Sequence, residues 1–175
     1  KGLVGMEEKR EQKQKPGYEP GRNNWEKKRR GINYTSACLV TAGKKTWLYG
    51  RFEIKARMEI SQGMWPAWWT LGVEKPWPAN GEIDIMEYYK GKLLANIACL
   101  GKDGHPEWFS NRFPVDSIGG TGWSSRFHVW KMDWTPAYIA LYVDEQLLNK
   151  VALDSLENKD GTGFNAFKQP HYVLL

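Results

Sequence analysis

The sequence predicts an all-β domain, a sandwich of two antiparallel sheets, and three observations carry that expectation. From Thr46 to Ile60, Trp47, Tyr49, Arg51, Glu53, Lys55, Arg57 and Glu59 alternate with Leu48, Gly50, Phe52, Ile54, Ala56, Met58 and Ile60, a period of two. Shorter apolar runs recur along the chain, each bounded by turn residues. No stretch of globular-helix length keeps a helical period with caps; the nearest, Asp154–Lys159, is too short.

Taken in order, the Thr46–Ile60 pattern predicts one long strand with an apolar face and a wet face of charged and aromatic side chains, as in a sheet that lines a cleft. Gln62-Gly63 closes it, and Ala67–Gly72 predicts the next strand. Ala79-Asn80-Gly81 turns the chain into Glu82–Tyr89, and Lys90-Gly91 returns it as Leu93–Leu100. After turn signals at Asp103-Gly104 and Gly119-Gly120-Thr121-Gly122, His128–Thr135 and Tyr138–Val143 form a pair joined at Thr135-Pro136. A final strand begins at Tyr172–Leu175. Because the chain opens on Gly2-Leu3-Val4 and closes inside an apolar run, residues 1–175 are expected to be a single domain lacking terminal strands at both ends.

The 175 residues, 41% of them hydrophobic, suffice for one core. The net charge of +5 lies wholly within residues 1–30, where ten Lys and Arg meet five Asp and Glu. A charge excess confined to a polar stretch, residues 7–31, reads as a solvated surface loop, so no nucleic-acid partner is expected. No apolar run approaches bilayer length, which argues against membrane insertion, and the first residues lack the layout of a signal peptide. Cys38 and Cys99 form no CxxC, and His105, His128 and His171 lack zinc-site spacing. Ten tryptophans and eight tyrosines are many for this length, and aromatic faces pack against sugar rings as well as in cores.

Chemistry concentrates in Glu82-Ile83-Asp84-Ile85-Met86-Glu87. Strict alternation puts Glu82 and Asp84 on one face and leaves Glu87 on the other; a single bulge at Ile85-Met86 restores Glu87 to theirs. Three adjacent acids repel one another and hold a proton near neutral pH. Glycoside hydrolysis with retention needs such a set: one carboxylate attacks the anomeric carbon and a second, protonated, donates to the leaving oxygen, the carboxyls lying about 5 to 5.5 Å apart. On alternation alone, the same acids also fit the solvent face of an amphipathic strand.

With this segment, Tyr34-Thr35-Ser36-Ala37, Tyr49-Gly50-Arg51-Phe52-Glu53, Met64–Gly72, Phe127–Pro136 and Tyr142-Val143-Asp144 stand in an order that resembles glycoside hydrolase family 16, in its laminarinase-like form with the bulged Glu-x-Asp-x-x-Glu signature. The resemblance implies a concanavalin-like β-jelly roll with an open groove. It also implies Glu82 as nucleophile, Glu87 as acid/base and Asp84 as the carboxylate that orients the nucleophile and tunes the proton. Arg51, Glu53, Trp65, Trp69, Asn96 and Trp108 are the candidates for lining the groove, Glu53 and Asn96 matching family positions that bond sugar hydroxyls. Trp65 and Trp108 also fit a core, and Arg51 also fits an ion pair with Glu53 or Glu82.

The expected activity is that of an endo-acting β-1,3-glucanase or mixed β-1,3/1,4-glucanase whose partner is the polysaccharide. The alternatives are an agarase- or porphyranase-type galactan hydrolase or a transglycosylase on the same fold and, in a different class, a non-catalytic lectin-like module. No cofactor is required by the chemistry. Some relatives implied by the resemblance hold a structural calcium, whose site no residue here identifies. A secreted, periplasmic or cell-surface monomer is expected.

Overall fold

Nine strands make two antiparallel sheets in the computed structural model, which describes residues 36–120 and 122–175. The basic stretch 7–31 lies outside the described residues. The sheets belong to one unit of the chain, Val40–Leu175. The strands are β1 (Gly50–Ala56), β2 (Ala67–Gly72), β3 (Glu82–Tyr89), β4 (Lys92–Leu100), β5 (Pro106–Pro114), β6 (His128–Trp134), β7 (Tyr138–Val143), β8 (Gln146–Ala152) and β9 (His171–Leu174), with one short helix, α1 (Val115–Gly119). One sheet has the order β1-β6-β7-β8 and the other β5-β4-β3-β2-β9, so β3 is the central strand of five.

Alternation explains which side chains meet between the sheets. In β6 every second residue, His128, Trp130, Met132 and Trp134, is buried while the residues between are partly exposed. Trp130, Met132 and Trp134 share one core cluster with Ile139 and Leu141 of β7 and with Ile83, Ile85, Leu93 and Ile97 of the other sheet. Full burial of each such side chain contributes roughly 1.5 to 3 kcal/mol. Asn149 ties the layers with hydrogen bonds: from β8 its amide donates to the carbonyls of Ala95 at 2.8 Å and Phe109 at 3.0 Å. Hairpin chemistry behaves as read from the sequence: Lys90 (φ 47°) and Gly91 (φ 80°) both adopt the left-handed backbone that a two-residue β3–β4 turn demands.

The expected long strand Thr46–Ile60 is instead two pieces in two sheets. Trp47 exchanges backbone hydrogen bonds with His171 of β9, at 2.9 and 2.8 Å, whereas Gly50–Ala56 pairs with β6 in the other sheet. The chain changes sheets at Tyr49 (φ 61°) and Gly50 (φ 124°), and the facing shifts there: Tyr49 packs edge-on against Trp134 while Leu48 is exposed. Period two survives on either side of such a corner and so reads as continuous in sequence.

Candidate active site

Gly81 sets the entry to β3. Its φ of 73° is left-handed, and a Cβ there would stand 2.8 Å from that of Ala166, so the turn closes tightly over Ala166 and Phe167. From Glu82 the strand pairs with β4 as Glu82 with Ala98 and Asp84 with Asn96, then jumps to Glu87 with Leu94. Three steps on β3 match two on β4: one residue is extra. Ile85 and Met86 both turn into the core, and Glu87 returns to the face of Glu82 and Asp84.

Register across the sheet assembles that face in rows. Leu71, Glu82, Ala98 and Trp108 form one row; Trp69, Asp84, Asn96 and Ser110 the next; Ala67, Glu87, Leu94 and Arg112 the third. The structure therefore brings Trp69, Asn96 and Trp108 onto the face of the three acids. Trp108 is 44% exposed and Trp65 60%, so neither is a core tryptophan. Trp65, in the connection before β2, donates its indole N–H to Glu87 Oε1 at 2.7 Å and packs at a tilt against Tyr89 with ring centroids 4.3 Å apart.

Arg51 and Glu53 are not brought to this face. They stand on β1, in the other sheet, on its exposed side opposite Asp133 and Lys131, and Arg51 makes a bidentate ion pair with Asp133 at 2.7 and 3.1 Å rather than with Glu53 or Glu82. Alternation correctly gave them to solvent; which sheet the strand joins is a long-range outcome that alternation does not encode.

The acids are deeply set, Asp84 4% and Glu87 8% exposed. Burial raises the Asp84 carboxyl well above the usual range, and the charges of Glu82 and Glu87 raise it further, against an opposing hydrogen bond from Asn96. Burial also raises Glu82; hydrogen bonds from Trp77 and Asp84 pull it back and the charge of Glu87 adds to the rise. A hydrogen bond between Asp84 and Glu82 lowers the Glu82 carboxyl and raises that of Asp84, so of the two Asp84 has the stronger tendency to keep a proton. Asn96 donates to Glu87 Oε2 at 2.8 Å, and its buried Oδ1 has no protein partner among the described residues.

Sequence reasoning missed Trp77. Its indole N–H donates to Glu82 Oε2 at 2.6 Å while the ring stays 49% exposed, so it holds the carboxylate from the rim. Its place five residues before Glu82, in the turn leading into β3, was the available signal. Each outer glutamate is thus fixed by a tryptophan from a different connection. Among the described residues no group of three or more His, Cys, Asp or Glu is arranged to hold a metal ion.

The chain is similar to known proteins in sequence and in fold. The sequence model of glycosyl hydrolases family 16 matches residues 11–174. A beta-glucanase of Rhodothermus marinus is 34% identical over 154 residues, 83% of this chain and 52% of that protein. A beta-1,3-glucan-binding protein of Penaeus monodon is 36% identical over 124 residues, 65% of this chain and 34% of that protein. The catalytic domain of an endo-1,3-beta-glucanase (laminarinase) from Thermotoga petrophila superposes with a TM-score of 0.68 at 30% identity, over 81% of this chain and 57% of that one. The chain thus spans about half the length of the beta-glucanase relative. With the family's model matched over nearly all its length, the chain belongs to glycosyl hydrolases family 16.

Proposed function

We propose that this chain carries the catalytic centre of a retaining, endo-acting glycoside hydrolase that cleaves β-1,3-glucan or mixed β-1,3/1,4-glucan. The single observation that carries the reading is the bulge at Ile85-Met86, which sets Glu82, Asp84 and Glu87 on one face of the central strand. Glu82, steadied by Trp77 and by Asp84, attacks the anomeric carbon. Glu87, aimed by Trp65 and Asn96, gives its proton to the departing oxygen and then takes one from the water that releases the glycosyl-enzyme. Trp69 and Trp108 offer ring surface on the same sheet face. The glucan assignment is supported by relatives named beta-glucanase and glucan endo-1,3-beta-glucosidase.

A non-catalytic glucan binder is the second reading, favoured by the relative named as a beta-1,3-glucan-binding protein. A binder has no need of three carboxyls crowded on one face of a strand. Incubation with laminarin and barley glucan, with reducing ends measured, separates the two. Glu82→Gln is expected to lower the rate at least about a thousandfold while polymer binding persists. Equal rates for parent and variant would remove Glu82 as nucleophile, and binding without cleavage by the parent would leave the lectin.

A further inference from the structure

We propose that the Glu87 end of this face is a subsite for an anionic substituent, a sulfate or carboxylate on the leaving-group side of the substrate. The inference rests on the hydrolase reading and deepens it. Two exposed cations stand there: Arg112 on β5, in the row of Glu87 and Leu94, and Lys92 at the start of β4, opposite Tyr89 in the next row. Neither has a carboxylate partner among the described residues, in contrast to Arg51 with Asp133 and Lys168 with Asp154.

Strands lie about 4.8 Å apart, so Arg112 on β5 stands in the row of Glu87 at roughly 10 Å between backbones. A third cation, Lys90, lies 5.1 Å from the Tyr89 ring centre, and Tyr89 packs against Trp65, whose N–H holds Glu87. Aromatic ring, acid and free cations therefore meet at one end of the face. The placement has a physical purpose. The carboxylate charge at the centre repels an anionic chain, and uncompensated cations beside the acid/base offset that repulsion where the leaving group sits. Because Glu82 lies under the anomeric carbon and Glu87 beside the glycosidic oxygen, the direction from Glu82 to Glu87 points to the leaving-group sugar.

The test compares laminarin with carboxymethylated β-1,3-glucan, using the parent and the double variant Lys92→Gln/Arg112→Gln. The ratio of kcat/KM on charged to neutral polymer is expected to fall about tenfold in the double variant. Added salt, which lowers that ratio for the parent, is expected to move it little in the variant. An unchanged ratio, with equal losses on both polymers or none, overturns the proposal and leaves the hydrolase reading standing. If the parent cleaves neither polymer the hydrolase reading fails; affinity electrophoresis in gels containing each polymer then decides the subsite, and equal retardation of parent and variant by the charged polymer overturns it.

Discussion

His171 ties β9 to the site's sheet, and it does so only while neutral. Its ring is enclosed between Trp134 and Phe167, at centroid distances of 5.0 and 5.6 Å, with Nδ1 accepting from the Thr70 hydroxyl at 2.9 Å and Nε2–H donating to the Ala166 carbonyl at 3.2 Å. Burial, opposed by the bond to Ala166, lowers its pKa from 6.5 to about 4. The depressed folded-state value sets the sign: the contribution is complete above the unfolded value and is lost as pH falls toward the folded one. At about 1.4 kcal/mol per unit, acidification from about pH 8 to about pH 5 costs about 2 kcal/mol, and the loss approaches about 3 kcal/mol in stronger acid. The raised carboxyls of Glu82 and Asp84 act in the opposite sense, so the readout is the difference between parent and His171→Gln, in which they cancel. Urea unfolding at the two pH values should show the parent losing about 2 kcal/mol more than the variant, whatever their absolute stabilities. Parallel losses would refute the reasoning and mean that His171 takes up its proton inside the fold.

Four further outcomes follow from the site. Trp77→Phe keeps the ring and removes the N–H on Glu82, so kcat should fall about tenfold and the acidic limb of the pH–rate profile should move to higher pH; an unmoved limb would show that the bond does not control the nucleophile. Glu87→Ala should slow glucan cleavage roughly a hundredfold or more but spare aryl glycosides with activated leaving groups, and equal losses would contradict the acid role. Asp84 has a raised folded-state pKa, so it costs stability as pH climbs past its unfolded value; Asp84→Asn should therefore raise Tm at neutral pH while lowering kcat, and a lower Tm would count against the raised carboxyl. Asn149→Ala removes two donated bonds between the sheets and should cost about 2 to 3 kcal/mol in urea unfolding.

What sequence could reveal follows from which interactions are local. Ala67–Gly72, Glu82–Tyr89 and Tyr138–Val143 begin and end in the structure where alternation and turn residues put them, because those signals act within a few residues. The bulge was legible for the same reason: three acids on one strand leave a single way to share a face. β5 escaped detection because Pro106 and Pro114 bound it and its Ser-Asn centre weakens the pattern, as an edge strand tolerates. β8 escaped because its facing residues mix Leu, Asn and Lys, Asn149 being buried for its cross-sheet bonds rather than for apolarity. Arg51 and Glu53 were misassigned because the sheet they join is a long-range outcome, fixed where the chain changes sheets at Tyr49-Gly50, whereas Trp77, only five residues from Glu82, was overlooked because its contact depends on how the turn before Gly81 folds over β3.

With two strands on either flank, β3 occupies the part of the sheet least able to fray, so the distance between its glutamates is insulated from breathing at the margins. Preference among polymers can then drift through substitutions on the outlying strands β5 and β9, the two edges of the same sheet, without recalibrating bond cleavage itself. Such a division lets one reaction be kept while its menu of substrates is rewritten from the periphery inward.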